Sequence, residues 1–223
     1  MMGLDMYLYR FPRYKWYGPK EIVAFDVYMD WKNSESGQKH TLEQWSGVKE
    51  EDLPNKEDWD YLEGLRGERF AAWDDEHDCP NVRTYDNVAY WRKANAVHKW
   101  FVNRVQDGED DCEFHREATK NVLEDLREVC RKILESTVLV RGKVKNGYRL
   151  IDGKKVYFYV DGELVVNSEV CEKYLPATDG YFFGSTEYDQ YYIDDVKYTY
   201  EVIGKILEET DFEKEMIYYR SSW

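Results

Sequence analysis

Trp91, Asn95 and His98 recur at three- and four-residue spacing, with Arg92 and Lys93 beside the tryptophan. On a helix that spacing puts an indole, a carboxamide and an imidazole along one side, with two cations at its rim. A ring that can stack, a cation that can pair and an amide that can donate are what an anionic, nucleotide-like ligand requires. The competing reading is that Asn95 and His98 are core polar residues satisfied by internal partners. A second constellation is Gly184-Ser185-Thr186, followed by Glu187, Tyr188 and Asp189. A β-like run ending in glycine and hydroxyl residues just before a helix offers N–H and OH groups to an anion, although a helix cap needs the same residues. A third segment, 6–20, interleaves Arg10, Arg13, Lys15 and Lys20 with Tyr7, Tyr9, Phe11, Tyr14, Trp16 and Tyr17, and contains no acid. The expected ligand-binding set is therefore Tyr9, Arg10, Trp91, Arg92, Lys93, Asn95, His98, Ser185, Thr186 and Tyr188.

Other chemistry has less support. There is no Gly-x-Ser-x-Gly, no phosphate-binding Walker loop and no His-Glu-x-x-His, so no catalytic residue is assigned and no cofactor is expected. An enzyme acting on the same kind of ligand, through Glu187, Asp189 or His98 in acid–base or metal roles, stays open as an alternative. His77-x-Cys79 and Cys112-x-x-His115 supply residue types suited to zinc, but nothing in the sequence places them together. No metal site is assigned.

The elements that position these residues read as α+β. Residues 4–10 and 21–29 look like strands separated by Gly18-Pro19. Residues 30–86 are acidic and turn-rich. Their Trp31, Trp45, Trp59 and Trp73 are evenly spaced, which reads as coincidence, the rings serving as pins for an irregular region. A helix is expected from an Asp86-Asn87 cap to about Val105, closed by Gly108, and a second over about 117–135. Residues 137–167 alternate short β-prone runs with Asn146-Gly147, Asp152-Gly153 and Asp161-Gly162, which predicts a three- or four-stranded meander inserted on a smaller core. A strand at 181–183, a helix over about 194–209 and a last strand in EMIYYRSSW complete a mixed or antiparallel sheet with about three main helices. No low-complexity linker divides the 223 residues, so one domain is expected.

Composition bounds the partners. Aromatic residues make up 17% of the chain, more than a core of this size needs, and net charge is −14. That charge argues against a nucleic-acid polymer and against an anionic membrane surface. With no apolar run of about 20 residues, no secretory leader and four dispersed cysteines, a cytoplasmic protein with reduced thiols is expected. A homo-oligomer stays open.

Four segments, MGLDMYLYR at 2–10, AYWRKANAVHKWF at 89–101, YFFGSTEYDQYY at 181–192 and the terminal YRSSW, resemble in the same order a family of small uncharacterised proteins found in phages and prophages. The resemblance covers a minority of the chain and implies a setting, not a fold or an activity. Small phage proteins often act against host defences, and in that setting the basic, aromatic segments lead to the expectation of a protein that sequesters a small anionic nucleotide-like immune signal in the host cytoplasm. It equally accommodates one that degrades such a signal, or an acidic decoy that binds a host defence protein.

Overall fold

The computed structural model describes residues 3–66, 70–74, 79–180 and 183–223. In chain order the elements are β1 (Asp5–Pro12), α1 (Pro19–Asn33), α2 (Leu42–Ser46), α3 (Trp59–Leu65), β2 (Phe70–Asp74), β3 (Cys79–Arg83), β4 (Asp86–Arg92), α4 (Asn95–Val105), α5 (Lys120–Ser136), β5 (Leu139–Ile151), β6 (Lys154–Val165), α6 (Glu169–Tyr174), α7 (Gln190–Glu209) and β7 (Glu215–Ser222). The fold is α+β. A three-stranded sheet has the order β4-β1-β7, and β2-β3 and β5-β6 are separate antiparallel pairs. No helix among the described residues is long and apolar enough to cross a membrane.

The chain packs into two compact units. One comprises Met1–Tyr7, Ala89–Thr210 and Tyr219–Trp223 and the other Leu8–Val88 with Asp211–Tyr218.

In the first unit, α5 packs on α7. Thr119 caps α5 by accepting the Val122 amide, and Leu123, Leu126, Cys130 and Ile133 form its buried stripe. Asp189 caps α7 by accepting the Tyr191 and Tyr192 amides, so that helix begins at Gln190, four residues before the expected start. The helices approach closely at Gly204, where a Cβ would lie 2.9 Å from Arg127 Nε. Phe101 of α4 stacks on Tyr219 of β7 at 4.5 Å.

The second unit is organised by α1, which corrects the strand expected at 21–29. Gly18 donates its amide to Glu21 Oε2, Pro19 fits the first turn, and Ile22, Phe25 and Met29 are spaced for a helix face. Phe25 and Met29 pack with Leu62, joined by Trp59 and Tyr28. Asp26 lies in the same buried stripe, where it accepts both the amide and the hydroxyl of Thr84. Trp31 and Trp59 do pin irregular chain, donating to the His40 and Pro54 carbonyls. The side chain of Trp73 lies outside the described residues.

Two further expectations are corrected. The helix expected from 86 begins only at Asn95, and 86–92 is strand β4, in which buried Ala89 and Trp91 alternate with exposed Tyr90 and Arg92. The segment 137–167 is one long hairpin. Only Asp152-Gly153 turns the chain, both residues having positive φ as a type I′ turn requires. Gly147 sits at a break in register between Lys145 and Tyr148, and Gly162 lies within the ladder opposite Gly142. Tyr181 and Phe182 of the expected 181–183 strand lie outside the described residues, and Phe183 is not in a strand.

Candidate functional site

Strand β4 ends at Arg92, and the chain reverses through Lys93, whose φ is 62°. The Lys93 amide donates to the Leu4 carbonyl and its carbonyl accepts the Asn95 amide, which starts α4. Asn95 is buried, and its carboxamide is fully used. Oδ1 accepts the Thr178 amide at 2.9 Å, and Nδ2 donates to the carbonyls of Phe183 at 3.1 Å and Ser185 at 2.8 Å. This clamp draws the 183–186 turn onto the reversal at Lys93. Gly184, at φ 95°, lies so close that a Cβ there would be 3.1 Å from Lys93 Cβ, while a Cβ on Gly3 would be 3.3 Å from Lys93 Cε. The lysine stem runs between two glycines.

The structure brings the segment Arg92, Lys93 and Asn95 beside the turn that carries Ser185 and Thr186, all within one unit. Arg92, Lys93, Ser185 and Thr186 are all exposed. Among the described residues neither Arg92 nor Lys93 has an ion-pair partner, unlike several other cations of the basic segments. Lys15 pairs with Asp58, Lys20 with Asp52, and Lys143 with Asp161. The nearest acid of the turn, Glu187, is held by Lys145. The Glu187 amide donates to Ser185 Oγ at 3.1 Å, which fixes that hydroxyl in place. Tyr90 shares the exposed face of β4 with Arg92 and lies 5.3 Å from the Tyr7 ring. Burial and then Asp5 raise the Tyr7 phenol, a hydrogen bond to Asp5 and then burial raise that of Tyr90, and the charge of Arg92 opposes the rise in each. Cations, hydroxyls and rings therefore adjoin one another at one end of β4. The Tyr7–Tyr90 pair was missed as part of the site; its signal was the period-two alternation of 89–92.

Other expected members do different work. Trp91 is 2% exposed, donates to Thr199 Oγ1 at 2.9 Å, and packs on Phe101 and Tyr198. It is a core residue and not a stacking wall, because β4 alternation turns it inward. His98 is buried. Its Nδ1 lies 2.7 Å from the Tyr219 hydroxyl, and Asp110 Oδ1 lies 3.0 Å from Nε2. Burial holds the His98 pKa below its ordinary value, with Asp110 opposing. Tyr188 lines no open surface with its hydroxyl, which accepts the Ala177 amide. Tyr9 and Arg10 belong to the second unit. There Tyr9 meets Tyr85 edge-on, and Arg10 donates to both oxygens of Asp86 and approaches Glu215.

The metal alternatives gain nothing. His77 lies outside the described residues, His115 bonds Asp111, and Asp189 caps α7 through Oδ1. No group of three or more His, Cys, Asp or Glu among the described residues could hold a metal ion. Comparison with known proteins finds no matching family model, no matching curated protein and no matching solved structure.

Proposed function

We propose that this chain binds a small anionic, nucleotide-like ligand on the exposed surface formed by Arg92, Lys93, Ser185 and Thr186, and that it acts by sequestering the ligand without turning it over. The observation that carries the reading is the exposure of two adjacent cations with no ion-pair partner among the described residues, in a chain of charge −14, against a turn that offers two hydroxyls. Guanidinium and ammonium groups bind phosphate oxygens strongly when no carboxylate competes. Tyr90 and Tyr7 supply rings beside them on which a base can lie. Sequestration is favoured over turnover because His98, the imidazole nearest this turn in the candidate set, is only 1% exposed. The resemblance of the 2–10, 89–101, 181–192 and terminal segments to phage proteins sets the context, in which the ligand is a host immune signal met in the host cytoplasm.

Isothermal titration against cyclic dinucleotides, cyclic trinucleotides and ADP-ribose derivatives tests the reading. At least one should bind, and Arg92→Glu with Lys93→Glu should abolish its binding. Failure of every one to bind folded protein, or binding that survives the double substitution, overturns the reading. Chromatography of the recovered ligand separates sequestration from degradation.

A further inference from the structure

Within the first unit, the outer half of the β5–β6 hairpin is left exposed by the other described residues. Successive side chains of a strand point to opposite faces, so a hairpin lying on a core buries one set and exposes the other. Tyr157, Phe158 and Tyr159 are consecutive, yet they are 43%, 40% and 54% exposed. Both faces are therefore bare. Ile151 and Val156, near the turn, are likewise exposed. A two-stranded ribbon bare on both faces is marginal in water, and a contiguous exposed apolar patch of this kind marks an association surface.

Charge narrows the partner. Residues 143–159 carry Lys143, Lys145, Arg149, Lys154 and Lys155 against Asp152 alone, a net +4 that leaves −18 on the rest of the chain. Arg149 lies over the Phe158 ring on one face and Lys145 over the Tyr157 ring on the other, so each face pairs a cation with a ring. A nucleic acid approaching this arm would meet the field of a body at −18. The exposed aliphatic side chains match the apolar centre of a protein interface better than they match a phosphate backbone. A second copy of this chain presents the complementary acidic surface and is always present at the same concentration.

We infer that the β5–β6 arm is a self-association element, which docks on the acidic body of a second copy, reciprocally about a two-fold axis. The inference concerns a different surface from Arg92 and Lys93 and stands independently of the ligand reading.

The test is sedimentation velocity of the full chain at low and high salt. The expected result at low salt is a species of twice the 26.8 kDa chain mass. Its dissociation constant should rise roughly tenfold or more in high salt, because the charges that meet are solvent-exposed. Tyr157→Ser with Tyr159→Ser, and separately Arg149→Glu with Lys154→Glu, should each give monomer while leaving the circular dichroism spectrum and thermal midpoint unchanged. Amides of 145–158 should exchange more slowly at high protein concentration than at low. A monomer at every concentration overturns the inference, as does a dimer that both double variants retain. Binding of a DNA or RNA oligonucleotide that the wild type shows and the arm variants lose would also overturn it, in favour of a nucleic-acid partner.

Discussion

Asn95 Nδ2 lies 2.8 Å from the carbonyl oxygen of Ser185, ninety residues away in the chain. With its bonds to Phe183 and Thr178, this one side chain fixes Thr178 and the 183–185 turn at the start of α4. It is a positioning residue, since all of its polar atoms point inward. Asn95→Ala leaves two carbonyls and one amide without that partner and should lower stability by about 2–3 kcal/mol in urea unfolding. Asn95→Asp keeps the acceptor, loses both donors, and should recover little of the loss. In both variants anion affinity should fall while Arg92 and Lys93 are untouched, which a purely peripheral role would not produce.

Trp91 and its neighbours should separate stability from binding. Trp91→Ala removes a buried indole and its bond to Thr199, and should cost about 3–5 kcal/mol. Arg92→Ala and Lys93→Ala remove exposed side chains and should change stability by less than about 0.5 kcal/mol, while weakening ligand binding by roughly tenfold each. Thermal melts with and without ligand distinguish the two patterns.

The boundary between β4 and α4 shows how far the sequence could be read. From Val88 to Val105 apolar residues fit a three- and four-residue spacing throughout, so the segment looked like one helix. Ala89, Tyr90, Trp91 and Arg92 fit a period of two equally well, and which period holds is decided by pairing with β1, a long-range contact. The helical period places Trp91 on the same side as Asn95, whereas the strand period turns it inward and leaves Arg92 exposed. In α1, the residues Glu21, Ile22 and Val23 suggested a strand, whereas Pro19 and the Ile22, Phe25, Met29 spacing carried the helix. In the hairpin three Asx-Gly pairs looked equivalent, and only cross-strand register shows that Asp152-Gly153 alone turns the chain. Local chemistry was legible; register and period at element joints were not.

Stability should depend on pH through two groups of opposite sign. His98 has a folded pKa below its ordinary 6.5, chiefly from burial. As pH falls below that value the unfolded chain takes up a proton that the folded chain refuses, so stability falls. Asp195 is pushed up to about 7 by burial, then by Asp194 and Asp189. Between the ordinary carboxylate range and about 7 the folded chain binds its proton more tightly, so stability rises as pH falls through that window. Asp195→Asn should therefore stabilise the protein more at pH 8 than at pH 5, and His98→Gln should flatten the loss below pH 6.5. Urea midpoints across this range, measured for wild type and each variant, check both signs.

In the second unit Asp58 should behave as an acid-sensitive pin. It is buried, and it accepts hydrogen bonds from Tyr14 at 3.0 Å, from Lys15 at 2.5 Å and from Tyr17 at 2.7 Å. The Tyr17 hydroxyl in turn accepts the Asn55 amide, so one carboxylate ties the 14–17 turn to the 55–58 segment. Lys15 is the main cause of the lowered Asp58 pKa, and burial opposes it. The stability this group contributes is thus complete above the ordinary carboxylate range and is lost as pH falls through its lowered folded value. Asp58→Asn should lower the urea midpoint at pH 7, and its difference from wild type should shrink steadily as the solution is acidified below pH 4. A difference independent of pH would show that shape, not charge, holds the turn. Lys15→Met should reproduce the acid-sensitive part alone, leaving the two tyrosine bonds in place.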